Sequence, residues 1–202
     1  MNNRDFWNTR YAATPFVYGT EPNAFLVEHR DMLRSPVLSI CEGEGRNAVY
    51  LAESGLEVLG VDLSEVALKK ADALARSRGV VITTSLADLT TYEPRPNHYG
   101  AVVSIWAHLP SSVRHRLYPL LERALTPGGI LLLESYSESQ LEKDTGGPKD
   151  ADMLMTVEKV RREFPTLEPV LLRETEREVH EGGGHSGMSS VVQFIGRRPD
   201  TR

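Results

Sequence analysis

The fold is decided by the stretch Val37-Leu-Ser-Ile-Cys-Glu-Gly-Glu-Gly-Arg-Asn-Ala48. Four residues at its start are typical of a buried strand, and the polar residues after them contain two glycines and open a helix. Gly43 and Gly45 allow a tight turn and a close approach of the backbone to a ligand. The helix that follows presents unpaired N–H groups and the positive end of its dipole. The pattern therefore predicts an α/β protein with a ligand site at this turn.

A second apolar segment, residues 57–61, leads into an acidic residue, Asp62. A carboxylate at the end of the strand after a glycine turn can accept hydrogen bonds from both hydroxyls of a ribose. The two features together predict a site for a ligand that contains a nucleoside. Each feature alone has a structural explanation, either as an ordinary turn or as a residue beside a helix N-cap, a position that Ser64 fills.

Composition narrows the class of protein. The chain has 202 residues with a formal net charge of −5, which does not favour a nucleic-acid-binding surface. Cys41 is the single cysteine, so no internal disulfide forms, and the first ten residues lack the apolar core of a secretory signal. The longest apolar runs are too short to span a membrane. We therefore expect one cytoplasmic domain over residues 1–202, with no membrane or nucleic-acid partner, and a monomer.

Strand and helix patterns alternate along the chain, which favours a parallel sheet with helices on both faces. A hairpin is expected at the C-terminus, because the turn at 182–184 is too short for a crossover helix and its strands must pair antiparallel. Strands are predicted at 37–40, 57–61, 80–85, 99–106, 130–136, 168–179 and 189–196, and helices at 47–54, 64–78, 111–125 and 152–164.

Taken together, these motifs resemble the class I S-adenosylmethionine-dependent methyltransferases, and the resemblance covers nearly the whole chain. It rests on the glycine turn, on Asp62, on Asp88 after the third strand, and on the segment 125–134, Leu-Thr-Pro-Gly-Gly-Ile-Leu-Leu-Leu-Glu. It implies a doubly wound, mostly parallel seven-stranded sheet with an antiparallel C-terminal hairpin strand. The phrases at 18–23, 43–48 and 145–150 are similar to a group of small bacterial and cyanobacterial enzymes related to the tellurite-resistance and thiopurine methyltransferases.

The resemblance implies S-adenosylmethionine as cofactor and assigns residues to it. Gly43 and Gly45 would pass the amino-acid part, and Asp62 would bind the ribose. Asp88 would accept from the adenine amino group; as a loop residue, it is also a candidate turn cap. The remaining cofactor residues implied are Asn47, Leu63 and Leu89, the two leucines lying on the faces of the ring.

The chain departs from the family pattern at two positions. Cys41 stands where the first glycine is usual, and Ser39 stands where an acidic residue is usual. We expect Glu42 to supply the lost carboxylate for the methionine ammonium. The departure also keeps open a noncatalytic protein that binds the cofactor.

The acceptor side is expected at residues 99–110, where the fourth strand ends beside the glycine turn. Ser104 is assigned to the cofactor site. His108 is a candidate base or a histidine that bonds a backbone carbonyl. Trp106 is a candidate wall that attracts the sulfonium, or a core tryptophan. Both are candidate catalytic residues.

The first 23 residues are rich in aromatic side chains, and residues 1–30 are expected to form either a lid over the cofactor or a segment docked on the core. Trp7, Tyr11 and Tyr18 are the candidate cofactor contacts there. No metal site is expected, because His180 and His185 lack further ligands at metal-binding spacing.

The predicted function is methyl transfer to a small molecule, with a thiol, selenium or tellurium compound as acceptor, because charge is neutralised in that step and exclusion of water favours a soft anion. A nicotinamide-dependent oxidoreductase shares the glycine turn and Asp62 and remains a weaker alternative.

Overall fold

The structure is a computed structural model that describes residues 3–13, 15–183 and 185–200. Residues 1 and 2 of the predicted N-terminal segment, Thr14, and Gly184 of the predicted hairpin turn lie outside the described residues. Within them, seven strands form one sheet in the order β3-β2-β1-β4-β5-β7-β6. This arrangement confirms the predicted fold class.

The strands are β1 (Val37–Ile40), β2 (Val58–Asp62), β3 (Thr83–Leu86), β4 (Tyr99–Ile105), β5 (Leu125–Tyr136), β6 (Glu168–Glu181) and β7 (His185–Arg197). The helices are α1 (Asn3–Tyr11), α2 (Ala24–Glu28), α3 (Arg46–Glu53), α4 (Glu65–Ser77), α5 (Ser111–Ala124) and α6 (Val157–Glu163). Short 3-10 turns lie at Arg30–Met32, Glu138–Glu142 and Ala151–Met153. No helix among these is long and apolar enough to cross a bilayer.

The first five strands are parallel. β2 and β3 are added on one side of β1, and β4 and β5 on the other, so the strand order reverses between β1 and β4. Val37 pairs with Val58 of β2 on one side and with Ala101 of β4 on the other. The carboxyl ends of both strands therefore open at the same edge, on either side of the switch point where α/β sheets bind ligands. All four residues of β1 are buried, as expected for a strand covered by helices on both faces.

The two strands of the C-terminal hairpin pair antiparallel, as predicted, and they form one edge of the sheet. β7 lies between β5 and β6 and is antiparallel to both. The strands are longer than the sequence pattern indicates, so that β6 reaches Glu181 and ends beside the carboxyl edge of the parallel strands. The hairpin thus brings a late segment of the chain to the ligand edge.

Three predicted elements need correction. The third strand begins at Thr83 rather than at residue 80. The helix predicted at 152–164 is a 3-10 turn followed by a shorter helix, because Met155 bridges Ser137 and its N–H donates to Tyr136 O at 3.0 Å. Thr156 then caps α6, its hydroxyl accepting from Lys159 N. The fifth strand begins at Leu125 rather than at residue 130, with a register shift between its first pair and the next.

The N-terminal 30 residues divide into two parts. Phe25 and Leu26 of α2 are almost completely buried in the core on one face of the sheet. α1 packs on α4 instead, where Asn8 Oδ1 accepts from Ser64 Oγ at 2.7 Å. The later part is docked on the core, and the earlier part lies over the ligand edge.

Candidate active site

A cavity of about 730 Å³ opens at the carboxyl ends of β1, β2 and β4. Its size lies in the upper part of the range for small-molecule sites, so it has room for a cofactor and an acceptor together. Twelve of the predicted site residues line it, namely Trp7, Tyr11, Tyr18, Glu42, Gly43, Asn47, Asp62, Leu63, Asp88, Leu89, Trp106 and His108. The fold thus brings together most of the residues that the sequence singled out.

Two predicted site residues do not line the cavity. Ser104 is 2% exposed within β4, and its neighbour Ile105 is the residue that reaches the cavity. Gly45 adopts a φ of +91°, and a Cβ there would lie 2.6 Å from that of Ala71 on α4. Gly45 therefore permits close packing of α3 on α4, which is a different reason for a glycine from ligand approach.

The glycine turn is built tightly against the end of β2. Gly43 has a φ of +64°, and its N–H donates to Asp62 Oδ2 at 2.9 Å. A Cβ on Gly43 would lie 2.9 Å from the Tyr11 hydroxyl oxygen. Cys41, which replaces the usual first glycine, adopts a φ of +51°, so the backbone turns there without a glycine.

Asp62 is held in one orientation by the backbone around it. Its Oδ1 accepts from Ser64 N at 2.8 Å while Oδ2 accepts from Gly43 N. Burial raises the pKa of the Asp62 carboxyl, and the hydrogen bonds from Ser64, Gly43 and Leu63 act in the opposite direction. Each carboxylate oxygen has a second lone pair, and the residue lines the cavity, so it can still accept from a ligand.

Glu42 points into the body of the protein. Its Oε1 accepts from Ala48 N at 2.9 Å, at the start of α3, and its Oε2 accepts from Ser39 Oγ. Burial raises the pKa of Glu42 to about 7, against the opposing effect of those two hydrogen bonds. The departure at Ser39 is thereby explained, because Ser39 and Glu42 form a hydrogen-bonded pair. A contact of Glu42 with a ligand ammonium stays a prediction.

Asp88 lies at the exposed rim of the cavity. Its Oδ1 accepts from both Thr90 Oγ1 at 2.7 Å and Thr90 N at 2.9 Å, and these bonds lower the pKa of the carboxyl. Asp88 therefore caps a turn, and its predicted contact with the adenine amino group would be a second role. The adjacent Leu89 is 7% exposed and lines the cavity with Leu63.

An aromatic cluster from the N-terminal segment covers the glycine turn. The rings of Trp7 and Tyr11 stack with centroids 5.6 Å apart, and Tyr11 meets Tyr18 edge to face at 6.2 Å. Glu44, from the glycine turn itself, holds this segment, because its Oε2 accepts from Val17 N at 2.7 Å. Lys70 completes the anchor through Glu44 Oε1, also at 2.7 Å.

The opposite wall is a stack of three rings. Trp106 and His108 follow β4 and line the cavity, and Tyr136 at the end of β5 lies behind both, with centroid distances of 4.4 and 5.3 Å. Trp106 has a φ of +55°, an uncommon value for a bulky residue. The Ser135 hydroxyl lies 3.3 Å from His108 Nδ1. The wall is therefore aromatic and has one titratable ring.

Sequence reasoning missed a buried network of charges beside this wall. Glu134 and Glu181 are both buried, and Arg177 bonds both of them, at 2.6 and 3.2 Å. Arg46 donates to Glu181 at 2.5 Å. No local sequence pattern predicts this network, because its members come from three separate elements, β5, β6 and α3. Among the described residues, no group of three or more His, Cys, Asp or Glu side chains is arranged to hold a metal ion.

Comparison with known proteins agrees with this geometry. Residues 37–129 match the family model described as Methyltransferase domain. Over 131 residues the chain is 24% identical to the 2-heptyl-1-hydroxyquinolin-4(1H)-one methyltransferase of Mycobacteroides abscessus. That match covers 63% of this chain and 58% of the relative, so it spans less than two thirds of the relative's length.

Solved structures share the whole fold. One, reported for the conversion of a disulfide bond into a thioacetal group during echinomycin biosynthesis, superposes with a TM-score of 0.79 at 19% identity and covers 100% of this chain and 93% of its own. The N-methyltransferase NodS of Bradyrhizobium japonicum WM9, in complex with S-adenosyl-L-homocysteine, gives 0.71 at 15% identity, covering 99% and 100%. The predicted resemblance to class I S-adenosylmethionine-dependent methyltransferases is confirmed.

Proposed function

We propose that this chain, whose residues 37–129 carry a methyltransferase domain, transfers a methyl group from S-adenosylmethionine to a small-molecule acceptor. One observation carries the proposal: the Gly43 N–H and the Asp62 carboxylate meet at 2.9 Å on the floor of a large cavity at the switch point of the sheet. This is the position at which a doubly wound sheet binds a nucleoside.

The residues present fit the cofactor. Asp62 has lone pairs for the ribose hydroxyls, Leu63 and Leu89 offer apolar contacts for the adenine, and Asp88 at the rim is a candidate for its amino group. Gly43 lines the cavity, so its backbone lies within reach of the amino-acid part of the cofactor. When bound, the cofactor supplies an electrophilic methyl group on a sulfonium.

The protein contributes alignment and exclusion of water. Trp7, Tyr11 and Tyr18 cover the turn on one side, and the ring stack of Trp106 and His108 closes the other. Orienting two reactants within such a cavity replaces a bimolecular encounter by a unimolecular step. The faces of the aromatic rings also attract a cation, which favours a sulfonium over a neutral ligand.

The acceptor end of the cavity supports a planar, largely apolar substrate whose nucleophile is a hydroxyl or a thiol. It is lined by Trp106, His108, Leu109, Pro110, Val113, Pro148 and Met153. The lining cations among the described residues are Arg10 and Arg46, and each is already bonded, to Tyr18 and to Glu181. An inorganic selenium or tellurium oxyanion would find little compensation for its charge there. A relative named for a hydroxyquinolone substrate supports the aromatic acceptor.

His108 is our candidate for the general base. A hydroxyl acceptor needs a base, whereas a thiol that is already ionised does not. Ser135 Oγ also lies 3.5 Å from Tyr136 O, and if its proton points there, the hydroxyl accepts from the His108 Nδ1–H. That tautomer directs the basic nitrogen, Nε2, away from Ser135.

Calorimetric titration tests the cofactor first. The purified protein, freed of copurified ligand, is titrated with S-adenosylmethionine, with S-adenosylhomocysteine and with NADH. We expect micromolar binding of the first two and none of NADH. Binding of NADH alone would replace the proposal by the oxidoreductase alternative.

The acceptor is then sought by measuring release of S-adenosylhomocysteine with hydroxyquinolones, phenols, aromatic thiols, selenite and tellurite. We expect turnover with the aromatic compounds and little with the two oxyanions. Tight cofactor binding without turnover on any acceptor would favour the noncatalytic cofactor-binding protein.

A further inference from the structure

The carboxylate of Glu181, at the end of β6, joins four parts of the chain. Its Oε2 accepts from the indole Nε1 of Trp106 and from the Arg46 guanidinium. Its Oε1 accepts from Asn23 Nδ2 at 2.8 Å and from Arg177 at 3.2 Å. Glu181 is 6% exposed, so these donors replace water around it. A residue of the late hairpin is thereby bonded to the N-terminal segment, the glycine-turn helix and the acceptor wall.

This site is built for a carboxylate. Burial alone would raise the pKa of Glu181, but Arg46, the Trp106 N–H and Arg177 together lower it below its ordinary value. An ionised side chain with four donors around it holds each of them in a defined direction. The position of Glu181 therefore fixes the orientation of the Trp106 ring.

The next residues of the hairpin touch the N-terminal segment. The N–H of Gly183 donates to Val17 O at 3.2 Å. Gly182 has a φ of +65°, and a Cβ there would lie 2.4 Å from the same oxygen. Tyr18 and Gly19, the residues after Val17, line the cavity. The hairpin tip is thus seated against the segment that covers the cofactor side.

Trp106 is bonded to the same hairpin through Glu181. Its backbone adopts a positive φ, which costs about 1 kcal/mol for a residue with a side chain. Its ring stacks on Tyr136, with the centroids 4.4 Å apart, and the Arg177 guanidinium lies over the ring at 5.8 Å. The ring is held by these two contacts and by its N–H, whose bond depends on Glu181.

We propose that Glu181 is a positioning residue that couples the seating of residues 17–23 to the orientation of Trp106 in the acceptor wall. When these residues are seated, Asn23 and the hairpin tip hold Glu181 where it accepts from the indole. When they move away, Glu181 loses the Asn23 donor, the hairpin tip loses the Gly183 bond to Val17, and the two arginines draw the carboxylate off the indole. The proposal rests on the proposed function for the identity of the ligand, and its geometry is independent of it.

The two tryptophans of the chain make the coupling measurable. Trp7 lies in the N-terminal segment and Trp106 in the wall, so a Trp7→Phe protein reports Trp106 alone. Quenching of its fluorescence by acrylamide is measured with and without S-adenosylhomocysteine. In Trp7→Phe we expect the ligand to reduce quenching, because a seated segment shields the ring.

Glu181→Gln in the Trp7→Phe protein is the decisive variant. Glutamine keeps the volume but loses the charge and one acceptor, so we expect quenching of Trp106 to rise about threefold without ligand. The response to S-adenosylhomocysteine should largely disappear while its affinity changes less than about threefold. The matched control is Glu176→Gln on the same strand, whose carboxylate pairs with Lys143 at the surface. Equal quenching in the Glu181 and Glu176 variants would overturn the proposal.

A second pair of variants tests the tip without touching the carboxylate. Gly182→Ala drives a Cβ into Val17 O, whereas a Cβ at Gly183 meets nothing within 4 Å. We expect raised Trp106 quenching in Gly182→Ala and unchanged quenching in Gly183→Ala, with folding checked by circular dichroism. Equal quenching in these two would refute the coupling.

The outcomes separate the two proposals. If folded wild-type protein binds no S-adenosylhomocysteine, the proposed function fails. The ligand-free quenching of the Glu181 and Gly182 variants still decides the role of Glu181.

Discussion

The cofactor half and the acceptor half of the cavity are built in different ways. The floor of the proposed cofactor half comes from one continuous stretch, residues 37–89, in which Gly43, Asp62 and Leu89 lie at or just after the ends of successive strands. The acceptor half joins β4, the end of β5, the tip of the late hairpin and the N-terminal segment. The floor of the first half is therefore local in sequence, although rings of the N-terminal segment cover it, and the second half exists only after the sheet has assembled.

The halves also differ in what satisfies their carboxylates. Asp62 accepts from two backbone N–H groups, which any sequence with this turn supplies. Glu134 and Glu181 accept from side chains, chiefly of Arg177, Arg46 and Asn23. We expect substitutions in the cofactor half to change binding, and those in the acceptor half to change turnover.

The largest effect is expected at His108, in the acceptor half. Loss of a general base lowers turnover by about 10²–10⁴-fold, so His108→Ala should do so with a hydroxyl acceptor while S-adenosylhomocysteine affinity stays the same. His115 on α5 is exposed, so His115→Ala is the control. Unchanged turnover in His108→Ala would remove the residue from the catalytic list.

Asp62→Ala should give the largest change in affinity within the cofactor half. The two ribose hydroxyls lose the charged acceptor to which they would donate, so the Kd for S-adenosylhomocysteine should rise about 100-fold by calorimetry. Asp31, whose side chain is almost fully exposed, provides Asp31→Ala as the control. Wild-type affinity in a folded Asp62→Ala protein would contradict the assignment of the site.

Gly45→Ala tests how the cofactor half is packed. The new Cβ meets Ala71 at 2.6 Å at a positive φ, so urea denaturation should show a loss of about 3 kcal/mol. Gly55 also has a positive φ but an open surrounding, so Gly55→Ala should lose only about 1 kcal/mol. Equal losses would mean that strain, and not the packing of α3 on α4, requires the glycine.

Glu42→Gln should change how stability depends on pH. The folded pKa of about 7 lies above the ordinary value of 4.5, so the folded state holds a proton that the unfolded state has released. The resulting stability is fully present below pH 4.5 and is lost as the pH rises through 7. Relative to wild type, Glu42→Gln should therefore gain on the order of 2 kcal/mol between pH 5 and 8. The free energy of unfolding is measured by urea denaturation of both proteins at pH 5 and pH 8. The same difference between Glu42→Gln and wild type at both pH values would refute this.

Asp88→Ala should have the smallest effect. The residue is exposed, and its Oδ1 is used by Thr90, so cofactor affinity should fall only about threefold. A loss as large as that of Asp62→Ala would show that the rim is closed over the ligand.

The same contrast explains what the sequence predicts well. The sheet, the antiparallel hairpin, the glycine turn and the Ser64 cap follow from periodicity and local residue types, and the structure agrees with them. The helix predicted at 152–164 is wrong because Met155 is drawn into a bridge with Ser137, a contact that helical spacing does not reveal. The position of Ser104 near a strand end predicts a site residue, but its neighbour Ile105 lines the cavity and Ser104 does not.

By itself, the sequence determined a doubly wound sheet with a glycine turn at Gly43 beside Asp62, and it predicted a nucleoside site there, because the strand, the turn and the acidic residue are fixed by short-range steric and hydrogen-bonding rules. Only the tertiary structure decided that Glu181 meets Trp106 and Asn23. Those residues are separated by 75 and 158 positions, and their pairing depends on burying a charge that needs four donors at once.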